Sequence, residues 1–268
     1  MTMTVAIGGL GAIGLPLARA LDAGAVGGLR LVAVAAADAA RAAERVAEFE
    51  IQPEVVPPGR LAEADIVVEA APAKVFDQIA APAIAAGKIL VPASAGALLT
   101  RMHLAQRAIE TGARIVVPTG ALLGLDAVRA AAEGPVESVT LETRKPPSGL
   151  AGAPYLRRRG IDLTDLTEPL RVFAGTALAA AAGFPANVSV AAALALAGIG
   201  PVRTRVEIWA DPEVDRNIHT IRVEAEAARF TMRIENVPSV DNPRTGRLTP
   251  LSILACLRGL VSTLKVGS

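Results

Sequence analysis

Along residues 1–118, apolar runs of strand length alternate with segments of helix length. Residues 4–8, 29–34, 64–69, 88–91 and 114–117 read as buried strands. Helical patterns cover residues 15–21, a stretch from about 39, 74–86 and 98–111. Runs that are apolar throughout, separated by helices, predict a parallel sheet covered on both faces. After Pro118 the period changes. Residues 119–126 read as a turn entering a helix, and 136–144 alternate like a half-buried strand until Lys145-Pro-Pro-Ser-Gly149 breaks the pattern. Residues 155–165, with Arg157-Arg-Arg159, read as a solvated loop. Short helices are expected near 176–182 and 188–197. Strand-like stretches then follow in series at 203–210, 218–226 and 229–235, which suggests an antiparallel sheet. Residues 236–243 form a turn-rich connection, and 251–264 a final amphipathic helix expected to pack on the first domain.

The first strand runs into Gly9-Leu10-Gly11-Ala12-Ile13-Gly14 and then a helix. This is the Gly-x-Gly-x-x-Gly spacing in the context that gives it meaning. The first glycine permits a tight turn, the second lets backbone approach a pyrophosphate, and the third lets helix pack on strand. The helix N-terminus adds unpaired N–H groups and a positive dipole end. Such a fold usually carries an acidic residue at the tip of the second strand, where it holds the ribose 2′-hydroxyl. Here that residue is Asp38, which serves equally well as the N-cap of the next helix. With Arg41 one turn on, a 2′-phosphate is also accommodated, so the cofactor is NAD or NADP.

Composition narrows the partners. With 27 basic and 26 acidic residues spread along the chain, there is no electrostatic footprint for nucleic acid or anionic lipid. The most apolar stretch, 173–197, is interrupted at Gly183-Phe-Pro-Ala-Asn187, leaving pieces too short for the about 20 residues that a membrane span needs. Cys256 is the only cysteine, which excludes an intramolecular disulfide and any multi-cysteine metal site. No secretory leader precedes the first strand, so a cytoplasmic protein is expected. Of the two histidines, His103 reads as structural or surface-exposed. His219, in the stretch from Trp209 to His219, is the candidate acid/base, since histidine alone both takes and gives a proton near neutral pH without perturbation.

Several stretches together resemble the L-aspartate dehydrogenases: Phe184-Pro-Ala-Asn187 with Val188-Ser189-Val-Ala-Ala192, Ala210-Asp-Pro212, Arg216-Asn217-Ile-His219, Ile234-Glu-Asn236, Asn242-Pro243-Arg-Thr245, Thr143-Arg-Lys145-Pro-Pro147 and Gly120-Ala-Leu-Leu123-Gly-Leu-Asp126. The resemblance covers essentially the whole chain. It implies oxidative deamination of L-aspartate to iminosuccinate, then oxaloacetate and ammonia, or the reverse amination, with a place in NAD biosynthesis. The implied architecture is α/β: a Rossmann dinucleotide-binding domain (1–118 with 246–268) plus a mixed α/β catalytic domain (119–245) with a largely antiparallel sheet, which also makes the homodimer. The family's catalytic histidine falls on His219. Its cofactor contacts fall on Leu123, where the family usually has alanine, and Ser189, where it usually has asparagine. Substrate contacts are expected from Asn187, Asn217 and Lys145, with Arg144, Arg216 and Asn236 as further candidates. Two other readings fit the same pattern. One is a reductase of another small imino or keto diacid, resembling dihydrodipicolinate reductase; the other is a non-catalytic dinucleotide sensor.

Overall fold

The computed structural model describes residues 2–185, 188–239 and 246–267, which form two compact units. The first comprises residues 1–118 and 249–265. Its elements are β1 (Met3–Gly8), α1 (Gly14–Asp22), β2 (Leu29–Ala35), α2 (Ala39–Val46), β3 (Glu54–Val55), β4 (Ile66–Glu69), α3 (Phe76–Ala85), β5 (Ile89–Pro92), α4 (Ala95–Leu99), α5 (His103–Thr111) and β6 (Arg114–Ile115). All strand pairs in this sheet are parallel, in the order β3-β2-β1-β4-β5-β6. The strands are apolar at nearly every position because helices cover them: Val5, Ile7, Leu31, Val34, Ile66 and Val68 are all fully buried. The C-terminal helix, Leu248–Val261, completes this core, with Ile253 and Leu257 buried among Val5, Leu17, Leu21 and Leu31.

The second unit holds α6 (Leu125–Ala132), β7 (Val136–Lys145), α7 (Pro147–Leu150), α8 (Pro154–Arg159), β8 (Leu170–Thr176), α9 (Ala177–Gly183), α10 (Ser189–Ala197), β9 (Arg205–Ala210), β10 (Asn217–Ala225) and β11 (Arg229–Asn236). Its sheet runs β11-β10-β7-β9-β8, with β7 and β9 parallel and the other pairs antiparallel. Alternation along β7 puts Val139, Leu141, Thr143 and Lys145 on the buried face, with Val206 and Ile208 of β9 and His219, Ile221 and Val223 of β10 beside them. The other face carries a charged network. Arg144 bonds Glu142 at 2.8 Å and Asp211 at 3.0 Å, and its guanidinium lies 4.7 Å from the centre of the Trp209 ring.

Three local expectations are corrected, and one strand is added that the sequence reading did not anticipate. Residues 98–111 are two helices, because the Thr100 hydroxyl and the Arg101 guanidinium both bond the Ala97 carbonyl and end the first helix. The basic stretch 155–165 begins as helix α8, started by Pro154, closed by left-handed Gly160 and anchored by buried Leu156. Residues 170–176 form a strand, held by a bulge against β9 and by Phe173, which packs edge-on against Tyr155 and Phe184 with ring centres 5.3 and 5.6 Å apart. The stretch 203–210 does not pair with its sequence neighbour at 218–226, because β7 inserts between them.

Candidate active site

In the first unit, the glycine turn sits at the carboxyl end of β1, where the strand order reverses between β1 and β4. This is the place at which open α/β sheets take their ligands. Gly9 has φ of 101°, and a β-carbon there would lie 2.5 Å from the Ala70 carbonyl oxygen. A β-carbon on Gly14 would overlap the Gly9 carbonyl, so α1 packs on the turn only because that residue is glycine. Around Gly11, by contrast, the space is open, and it is exposed. Among the described residues, no backbone acceptor pairs with the amides of Leu10, Gly11, Ala12 and Ile13. An open concavity with unpaired N–H groups fits a pyrophosphate. The Arg45 guanidinium bonds the Leu10 carbonyl and fixes the turn from α2.

Asp38 stands exposed just beyond β2, and its carboxylate accepts the Arg41 amide at 3.0 Å as the N-cap of α2. That bond uses one of the two carboxylate oxygens. Replacing Asp38 with alanine is expected to weaken NAD more than NADP, while Asp38→Ser, which keeps a cap, separates the ribose contact from the loss of about 1 kcal/mol in helix stability. Equal loss for both cofactors in a binding titration would show that Asp38 does not read the ribose.

One step along the sheet, Glu69 ends β4 with its side chain fully buried. Its carboxylate accepts the Ala71 amide at 3.0 Å, and the Ser94 amide and hydroxyl at 3.1 Å each. Burial pushes the carboxyl up to about 7, against the downward pull of those three bonds.

In the second unit His219 is 2% exposed, and its Nδ1 lies 3.0 Å from the Thr143 hydroxyl directly across from it in the sheet. Burial, reinforced by the Lys145 cation, pushes the imidazole down to about 3, so it is neutral at physiological pH. Lys145 lies two residues beyond Thr143 on the same face and is 5% exposed; burial brings its ammonium down to about 8. Thr143 and Lys145 also line a small cavity of about 10 Å³, walled by Val188, Val190 and Ala191 at the start of α10. Asn217 is half-buried, two residues before His219 and opposite Asn236. The buried Asn236 amide donates to the Ala121 carbonyl at 3.0 Å, tying the 119–124 turn, which carries half-buried Leu123, to the edge of this sheet.

The geometry thus brings His219, Thr143 and Lys145 to one face, with Asn217 on the same strand. Ser189 is exposed in the first turn of α10, beside the residues that wall the cavity. Asn187 lies outside the described residues, as do residues 240–245. Arg144 is on the opposite face, engaged with Glu142 and Asp211, and Arg216 pairs with Asp215 at 2.7 Å, so neither joins the histidine. His103 is exposed on α5. Sequence reasoning gave no role to Thr143 or Glu69. The alternation of residues 136–144 carried a signal for the first, since it puts a hydroxyl at a core position. For the second, the signal was an acidic residue closing the apolar run Ile66-Val-Val.

A parallel sheet with a dinucleotide cradle, in one chain with a second sheet that buries a histidine and a lysine, defines a nicotinamide-dependent dehydrogenase. Comparison with known proteins narrows the class. Residues 126–260 match the aspartate dehydrogenase C-terminal domain, and residues 9–118 the homoserine dehydrogenase NAD-binding domain. The L-aspartate dehydrogenase of Bradyrhizobium diazoefficiens is 52% identical over 99% of this chain and 94% of its own length. L-aspartate dehydrogenase 3 of Bordetella bronchiseptica is 52% identical over 98% of this chain and 97% of its own. The crystal structure of aspartate dehydrogenase from Thermotoga maritima superposes over the full length of both chains with a TM-score of 0.76 at 26% identity. The chain belongs to the L-aspartate dehydrogenase family. It is an oxidoreductase acting on a CH–NH2 group, with NAD or NADP as cofactor.

Proposed function

We propose that this protein interconverts L-aspartate with iminosuccinate, and so with oxaloacetate and ammonia, using His219 as general acid/base. The observation that carries the reading is the buried pair of His219 and Thr143 with Lys145 on the same sheet face. Leu10 to Ile13 offer their amides to the pyrophosphate, and Asp38 its carboxylate to the ribose; Leu123 and Ser189 are the proposed contacts nearer the reacting end. When bound, the nicotinamide supplies the hydride acceptor.

The protein's own part is protonic and electrostatic. Hydride leaves the α-carbon only when the amine is unprotonated, and the resulting imine is hydrolysed by a water that must lose a proton. With Nδ1–H donated to Thr143, His219 presents the Nε2 lone pair as base: the proton it takes from the substrate ammonium passes on to solvent, and the one it then takes from the attacking water is returned to the departing ammonia. Lys145, with Asn187 and Asn217, binds the substrate carboxylates, an ammonium and amide N–H groups being the donors that suit an anion. That anionic substrate also offsets the Lys145 cation that depresses the imidazole, so binding itself makes His219 a stronger base. The further expectation is a homodimer.

The direct test is oxidation of NADH, and separately NADPH, by the purified protein with oxaloacetate and excess ammonia. Turnover that requires ammonia supports the aspartate reaction and gives the cofactor preference. Turnover of cyclic imines alone would replace it with another imine reductase, and cofactor binding without any turnover would leave a sensor.

A further inference from the structure

Glu69 is a buried acid that the chemistry above does not use, and its surroundings are unusual in one respect. All three of its hydrogen-bond partners are neutral donors, the amides of Ala71 and Ser94 and the Ser94 hydroxyl. Among the described residues no lysine, arginine or histidine pairs with it. Three donors aimed at a carboxylate favour its anionic form while burial opposes it and holds the carboxyl at about 7, so a cation brought close draws it into the anionic form.

Its place in the sheet indicates which cation. Glu69 pairs with Gly8 of β1 on one side and Pro92 of β5 on the other. The Ala70 amide bonds the Gly8 carbonyl at 2.8 Å, and a β-carbon on Gly9 would meet Ala70 and Ala71. The segment that Glu69 secures therefore lies directly against the glycine cradle. A dinucleotide crosses such a sheet at the switch point, with its adenosine ribose at the end of β2, where Asp38 stands, so its nicotinamide half falls on the side of β4 and β5. The oxidised nicotinamide ring is a cation and the reduced ring is neutral.

We propose that Glu69 is the internal counter-charge for the oxidised nicotinamide, a positioning residue that favours NAD(P)+ over NAD(P)H without touching either. Its two roles are joined: the carboxylate holds the segments at Ala71 and Ser94 in place and presents one negative charge beneath them. This inference rests on dinucleotide binding by the first unit and not on the identity of the substrate.

The test is a pair of dissociation constants, for the oxidised and reduced forms of whichever cofactor the full-length protein prefers. Glu69→Gln, which keeps the shape and removes the charge, is expected to weaken the oxidised form about tenfold more than the reduced form, a size reasonable for one charge at partial screening. Glu69→Asp keeps the charge and is expected to hold the wild-type ratio, and Ser94→Ala, which removes only a neutral donor, to shift both forms alike. A Gln variant that weakens both forms equally, or neither, overturns the proposal by reducing Glu69 to a loop fastener. Should that variant fail to fold, wild-type protein carrying isotope-labelled glutamate decides. A labelled carboxyl band is expected in the infrared difference between the oxidised and reduced complexes, and its absence overturns the proposal. Failure of wild-type protein to bind either form would instead remove the dinucleotide reading itself.

Discussion

Replacing His219 with asparagine is expected to lower kcat about a thousandfold while the dissociation constant for the cofactor stays within about a factor of two, the range in which positioned acid/base groups act. The cofactor cradle lies in the other unit, which is why binding and turnover should separate. Thr143→Val is expected to lower kcat by a smaller factor, about tenfold to fiftyfold, because it frees the ring without removing it. His219→Asn also has a signature in stability. A buried imidazole with its pKa lowered from 6.5 to about 3 takes up no proton in the native state until the pH is far below that at which the unfolded chain does. Its contribution is full above about pH 6.5 and is lost as pH falls toward 3, amounting to about 3 kcal/mol by pH 4. The asparagine variant should therefore resist acid better than wild type, measured by urea unfolding at pH 7 and pH 4. Unchanged kcat in His219→Asn would remove the residue from the mechanism.

Lys145→Met is expected to raise KM for aspartate about a hundredfold, with a smaller effect on kcat, because it leaves a substrate carboxylate unmatched in a buried place. The free protein should respond in the opposite direction. Burial lowers the Lys145 pKa from 10.5 to about 8, so the charged side chain lowers stability at neutral pH. The favourable contribution is present above about pH 10.5 and is lost as pH falls through about 8, so at pH 7 the methionine variant should gain about 1–3 kcal/mol. A structural lysine would give lower stability and unchanged KM. In wild type, KM for aspartate should climb above about pH 8 as the ammonium is lost, and the methionine variant should lack that limb. A pH profile of KM that is flat between pH 7 and 9.5 would set Lys145 aside as the carboxylate partner.

Much of the first sheet was legible because its information is local. Apolar runs, helix-length spacers and one glycine motif occupy consecutive positions, and a parallel sheet buried on both faces leaves few other arrangements for them. The second sheet was legible as strands but not as a topology. Nothing adjacent in the chain shows that β7 enters between β9 and β10, and β8 escaped notice because Ala174 and Gly175 dilute its strand character and a bulge breaks its alternation. The same limit applied to the site. His219 stood out by its rarity, but its partner Thr143 is 76 residues away and an ordinary residue type. Lys145 looked like any surface charge until β7 placed it on the inner face, while its neighbour Arg144, equally plausible in sequence, fell on the outer one.

The position of the C-terminal helix bears on how the chain is made. Ile253 and Leu257 belong to the same core as Val5 and Leu17, so the dinucleotide unit cannot close until residue 257 has been synthesised. The whole second unit is translated in the interval, roughly ten to thirty seconds at ordinary elongation rates. During that time the first sheet waits with an open apolar groove. A nascent chain stalled after the second unit should be a better chaperone client than the finished protein, and the domain begun first is the one completed last.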